Sequence, residues 1–241
     1  MKKKVLAVAA VLLLGITAFF GVRAIVRYQR VKKYENKLFS VPANISELPR
    51  LDLDAQYLFN PDDKKLMSGF SDYIAAAAVE KIIGISYGNV RISDNGRLQG
   101  TPYTHYVLKI LHNIKGRLRK EISIPLIQYG GVTIDGKNVE QLSPFLEEGK
   151  GYVIYFMAAE TGKLYLNKSY ALSLSAFESD AEGNITRLKD FSAIEDYVDA
   201  YLHEDTQYAF SDKHMSMYDV DFEGEIPALS EIELYKNVAL P

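Results

Sequence analysis

Gly100-Thr-Pro-Tyr-Thr-His-Tyr-Val-Leu-Lys-Ile-Leu-His-Asn-Ile-Lys-Gly116, then Glu121-Ile-Ser-Ile-Pro-Leu-Ile-Gln-Tyr-Gly-Gly131, then Pro144-Phe-Leu-Glu-Glu-Gly-Lys-Gly-Tyr-Val-Ile-Tyr-Phe156 decide the fold of this chain. Apolar, β-branched and aromatic residues come in short runs cut by Gly, Pro and Asn, the pattern of successive strands. Strands of this length are stable only in a sheet that closes or packs on itself. The stretch therefore predicts the wall of a small β-barrel or sandwich.

Outward from it, Tyr73 to Tyr87 reads YIAAAAVEKIIGISY. Four alanines favour helix, whereas the Ile, Val and Tyr content and the breaks at Gly84 and Gly88 favour strand. A long bent strand over residues 72–92 is expected. Asp94-Asn95-Gly96 turns it into the next strand, and Asp135-Gly136 makes a second small turn. Tyr152 to Ala158 is almost all apolar, as in a strand buried on both faces. Glu160-Thr161-Gly162 hairpins into Leu164–Leu174, and a short strand follows near Ile185–Leu188. Ser192 and Glu195 have capping-box spacing, and Ile194, Tyr197, Val198, Tyr201 and Leu202 recur at helical spacing. One C-terminal helix should pack on the barrel.

The 241 residues include no Cys, which excludes disulfides, thiolate metal sites, a cysteine nucleophile and a lipid-modified N-terminal Cys. Val5 to Val22 is an uncharged apolar run preceded by Lys2, Lys3 and Lys4. As a helix it spans roughly 27 Å, close to the hydrocarbon thickness of a bilayer. Its spanning length and the absence of a convincing small-x-small cleavage site predict an uncleaved anchor over a cleaved signal peptide, and the extreme N-terminal lysines predict a cytoplasmic tip and an exported body. Six bases after the run argue for the opposite orientation. Beyond residue 40 the chain holds 19 Lys/Arg against 30 Asp/Glu, a net of −11, which repels phosphate backbones and argues against a nucleic-acid partner.

The expected organisation is mainly β (α+β). Residues 1–39 form the tip, transmembrane anchor and basic stalk, and 40–71 an extended connector. Residues 72–204 are the barrel with its packed helix, and 205–241 a loosely packed acidic tail.

The order Gly100-Thr-Pro-Tyr-Thr, Ile114-Lys-Gly, Gln128-Tyr-Gly-Gly and Pro144-Phe-Leu-x-x-Gly-x-x-Tyr-Val-Ile-Tyr-Phe resembles a group of small exported β-domain proteins of Gram-positive bacteria. Its layout is also similar to OB-type barrels, including netrin-like domains. The resemblance covers about residues 72–190 and implies an exported OB-like barrel. Netrin-like cysteines are missing, so no inhibitor role is implied.

Chemistry-bearing motifs are few. His105 and His112 are seven apart, which places them on opposite faces of a regular strand, so a shared metal would need a bulge between them. His203 and His214 read as isolated. No nucleophile elbow, zinc-binding helix or phosphate-binding loop is present. Asp219, Asp221 and Glu223, followed by Gly224, resemble the first half of a calcium loop, but Ser230 stands where a bidentate Glu belongs. Calcium is therefore a weak expectation, and no other cofactor is expected. Tyr103, Tyr106 and Tyr129 are candidate contact residues if the domain binds a partner, with barrel packing as the equal alternative, so they are not assigned as a site. The functional expectation is a non-enzymatic, membrane-anchored extracytoplasmic binding or accessory domain. It would be held to the membrane by residues 5–22, beside an envelope or membrane-protein partner. The alternatives are a cell-envelope hydrolase assembling carboxylates such as Glu80, Asp94 or Glu121, and a structural subunit of a membrane complex.

Overall fold

A computed structural model describes residues 21–35, 37–53 and 59–236. Most of the apolar run Val5–Val22 lies outside them, and residues 21–32 are helical. Among the described residues no helix is long and apolar enough to cross a membrane.

The elements in chain order are β1 (Arg50–Asp52), α1 (Lys64–Phe70), β2 (Tyr73–Ile92), β3 (Leu98–Lys115), β4 (Ser123–Val132), β5 (Val139–Gln141), β6 (Gly151–Ala158), β7 (Leu164–Ala171), β8 (Phe177–Ser179), β9 (Ile185–Leu188) and α2 (Glu195–Leu202). Five strands in the order β4-β3-β2-β6-β7 close into a barrel when β7 pairs parallel with β4, Leu126 opposite Leu164 and Ile127 opposite Tyr165. The other barrel pairings are antiparallel. Beyond the barrel, β5 extends the far end of β4 and β1 adds parallel to β5.

The alanine run is strand, as expected. Ala75 and Ala77 face the barrel interior beside Tyr106, Tyr152 and Phe156, whereas Ala76 and Ala78 face an outer layer with Phe177, Ile185, Leu188 and Ile194. Buried on both sides, this segment has room only for small side chains where large rings project from its neighbours. Packing thus overrides helix propensity. β6 is likewise buried on both faces.

Gly84 and Gly130 mark where added chain meets the barrel. Gly84 (φ 152°) lets Phe39 approach, so that Phe39 and Ile85 exchange two backbone hydrogen bonds of 2.8 Å. Gly130 (φ 115°) admits the backbone of Glu140, whose carbonyl oxygen would lie 2.6 Å from an added Cβ.

Three expectations need correction. Residues 40–71 are more than an extended connector: they hold a 3-10 turn at Ile45–Glu47, β1 and α1. The signals were faint because β1 is only three residues long and finds its partner about ninety positions away, while α1 is two turns long. Asp63 caps α1 by accepting from the backbone N–H groups of Lys65 and Leu66. Asp63→Ala is expected to cost about 1 kcal/mol, measured by thermal unfolding.

The second correction concerns the start of the C-terminal helix. Asp190, rather than Ser192, caps its first turn by accepting from the backbone and hydroxyl of Ser192. Ile194, Tyr197, Val198 and Tyr201 pack as expected, but Leu202 is exposed. Lys115 joins both helices to the barrel, donating to the Ser68 carbonyl and to Glu204, each at 2.6 Å.

Third, residues 205–236 are not a loose tail. Ser216, Tyr218, Asp219 and Tyr235 are buried. The segment crosses the β3–β4 connection at the bridge between Leu118 and Asp219 and then lies over the barrel wall. Its polar composition hid this because only a few anchors, separated by acidic residues, carry the contact.

Candidate functional site: the outer face of β3, β4 and β7

Alternation along paired strands sorts the residues of β3 and β4 by side. Tyr106, Leu108 and Leu126 point into the barrel. Tyr103, His105 and Val107 on β3, and Pro125, Ile127 and Tyr129 on β4, share the outer side with Tyr165 of β7, by the register His105–Ile127 and Ile127–Tyr165. The C-terminal segment covers part of this face: Leu229, Ile232, Leu234 and Tyr235 pack with Ile83 and Val107. Beside them lies a cavity of about 220 Å³ with mostly apolar walls from Ile127, Leu164, Met217, Leu234 and Tyr235, with Lys163 and Glu231 contributing charge.

At the back of the cavity runs a chain of three side chains. Ser86 Oγ lies 2.7 Å from His105 Nε2, and Tyr235 Oη lies 3.0 Å from His105 Nδ1. A neutral imidazole has one N–H, so the ring donates in one of these contacts and accepts in the other. Burial, with a smaller contribution from the Lys163 charge, pulls the His105 pKa from 6.5 to about 4. Burial also holds the Tyr235 phenol protonated. A serine beside a histidine suggests a nucleophile and its base. The orienting group here is a neutral phenol instead of a carboxylate, so the ring's own hydrogen-bond partners do not supply the charge that stabilises an imidazolium. The three groups form a neutral hydrogen-bond chain that fixes the C-terminal segment to the barrel.

In front of the covered part, Tyr103 and Tyr129 stand edge to face, with ring centroids 5.7 Å apart and planes at 84°. Tyr165 neighbours this pair through the register Ile127–Tyr165, and burial raises the Tyr129 and Tyr165 pKa values, with Glu140 and Tyr103 adding to the first and Tyr103 to the second. All three rings are half-buried. Tyr106, grouped with Tyr103 and Tyr129 in the sequence reading, belongs to the core and donates to Gln128 Oε1 at 2.8 Å. Tyr165 and Tyr235 were missed by that reading. Tyr165 is in register with Ile127 only across a parallel pairing that no local pattern announces.

The histidines do not converge. A bulge in β3 between the pairs Ala76–His112 and Ala77–Ile110 shifts the alternation, so His112 lands on the same outer side as His105. Seven strand residues still separate them by roughly 20 Å. His112 packs edge-on against Phe191, centroids 5.1 Å apart, and burial lowers its pKa. His203 sits in an exposed contact with Asp199.

The calcium-like loop is used otherwise. Asp219 Oδ1 accepts from the Asp221 N–H at 2.9 Å, and Asp221 is held by Arg117 at 3.0 and 3.3 Å, while Glu223 is exposed. Among the described residues no group of three His, Asp or Glu side chains is arranged to hold a metal ion.

The carboxylates of the hydrolase alternative are also dispersed. Glu80 accepts from Ser123 Oγ at 2.6 Å. Asp94 lies beyond the far end of β2, on the order of 40 Å along the strand. Backbone N–H groups and Arg119 hold Glu121 below the usual carboxylate range. Among the described residues, burial pushes up the carboxyls of Asp72 and Glu140. Asp72 immediately precedes β2 and Glu140 lies on β5, near opposite ends of the sheet. No protein-family model matches the chain, and no curated protein matches it in sequence.

Proposed function

We propose that the chain is a membrane-anchored extracytoplasmic binding domain without chemistry of its own, and that its partner docks on the outer face of β3, β4 and β7. The observation that carries this reading is the joint placement of three half-buried tyrosines and a preformed apolar cavity on one barrel wall. Tyrosine offers contact area at little entropic cost, and preformed apolar hollows with a few polar groups are the usual form of a ligand site.

Strand order supports an OB-type barrel: β2, β3, β4, β7 and β6 stand first, second, third, fifth and fourth, with the third and fifth parallel. OB barrels take ligands on the face of their second and third strands, here β3 and β4. The net charge of −11 beyond residue 40 disfavours a polyanionic ligand. Lys2–Lys4 ahead of the apolar run support export of the body, with the anchor raising its local concentration at the membrane surface.

A photo-crosslinking amino acid at Tyr165 tests the reading in intact cells. One discrete adduct is expected, lost when Tyr103 and Tyr129 are both changed to Asp. Protease added to wall-stripped cells should remove the body. Protection of the body until lysis overturns the topology. An activity on a glycan, peptidoglycan or ester substrate that disappears with one carboxylate overturns the non-catalytic reading.

A further inference from the structure

A second hollow lies at the barrel mouth, on the side where the chain enters from the N-terminal helical segment. Val41, Ile45 and Arg50 close it from the entering chain, Ile82, Thr104 and Tyr106 from β2 and β3, and Phe145 and Leu146 from the loop before β6. Its volume is about 340 Å³, within the range of small-molecule sites. Taking roughly 30 Å³ for a methylene-sized group, the share of one water in the liquid, it holds about ten.

The polar groups at this mouth are asymmetric. Glu147 is held by Lys150 at 2.7 Å, which neutralises it. Among the described residues no carboxylate is within 4.0 Å of the Arg50 guanidinium, which is exposed on β1. Thr104 spends its hydroxyl on the Gly130 carbonyl, and Tyr106 donates to Gln128. The interior therefore presents hydrocarbon, and the rim presents the Arg50 guanidinium, exposed and without a carboxylate partner among the described residues, in a shape suited to bidentate contact with a carboxylate or phosphate. The walls at Val41 and Ile45 follow directly on Phe39, which is bonded to Ile85. This fixes the mouth beside the entering chain.

We infer that the barrel-mouth hollow is a binding site for an anionic amphiphile. The hydrocarbon chain lies between Ile45, Ile82 and Phe145, and the anionic head meets Arg50. The site is separate from the β3–β4–β7 face, so either can fail without the other. A fatty acid and an anionic phospholipid share this chemistry.

The test uses the full chain in phosphatidylcholine vesicles with a decanoic-acid photoprobe carrying a terminal diazirine. A decylamine photoprobe of equal length and a phosphatidylglycerol bearing the same diazirine chain run in parallel. Adducts from the carboxylate probe should map to peptides containing Val41–Arg50 and Pro144–Glu147, above the amine probe. Arg50→Glu should cut carboxylate labelling about tenfold, as when a charge-assisted contact becomes a repulsion. It should also raise amine labelling. Ile45→Trp, which fills the hollow, should lower both, with circular dichroism confirming that the barrel is intact. Stronger Arg50-dependent labelling by the free acid assigns the site to fatty acids, and by the phospholipid to headgroups. Equal labelling by acid and amine, labelling mapped elsewhere, or indifference to Arg50→Glu overturns the inference.

Discussion

Replacing Tyr235 by Ala is expected to destabilise the protein by about 3–5 kcal/mol, the usual cost of emptying a buried aromatic site. The ring is 3% exposed, packs with Ile83 and Val107, and supplies the hydroxyl that meets His105 Nδ1. Removing it opens the apolar contact and leaves a buried imidazole nitrogen without its partner. Urea unfolding followed by circular dichroism measures the loss. Amide exchange should show the increase first in residues 226–236, whose only regular structure is two 3-10 turns. A change within about 0.5 kcal/mol, ordinary for a surface site, would mean that this segment does not lie on the barrel.

The second large effect is on acid stability. His105 titrates near 6.5 when unfolded and at about 4 when folded. Between these values the unfolded chain binds more protons, so stability rises with pH across the window. The contribution is complete above pH 6.5 and is lost as pH falls toward 4, by roughly 3 kcal/mol in all. Ser86 and Tyr235 bond the ring, Lys163 adds positive charge nearby, and the Glu231 carboxylate on the same cavity accepts from the Ala228 N–H rather than from the ring. His105→Gln keeps a donor and an acceptor but cannot titrate, so its stability should change less between pH 7 and pH 4. Carboxylates titrate in both proteins and cancel in the difference. Parallel loss in wild type and variant would show that the ring is solvated and the Ser86–His105–Tyr235 chain is not formed.

Sequence alone determined the barrel's strands and their turns. Runs such as Ser123–Val132 and Gly151–Ala158 carry β-branched and aromatic residues with glycines at or near their ends, and this information is local. The choice of strand for the alanine run was legible from its Ile, Val and Tyr neighbours. The packed face of the C-terminal helix was legible from its period, except that Asp190 took the cap expected of Ser192 and Leu202 faces solvent.

The site depended on information of another kind. The parallel closure of β4 on β7 brings Ile127 beside Tyr165, and segment 226–236 brings Tyr235 to His105, 130 positions away in sequence. A bulge in β3 placed His112 on the same outer side as His105, where regular alternation predicts opposite sides. Tyr103 and Tyr106 looked equivalent in sequence, yet odd separation sends one to the outer wall and the other into the core. Short-range patterns therefore specified which segments are strands and helices, because backbone geometry and burial period are set by near neighbours. Which side chains meet was decided by closure of the barrel, by bulges and by docking of the C-terminal segment. Those depend on contacts between residues far apart in the chain, and no local pattern records them.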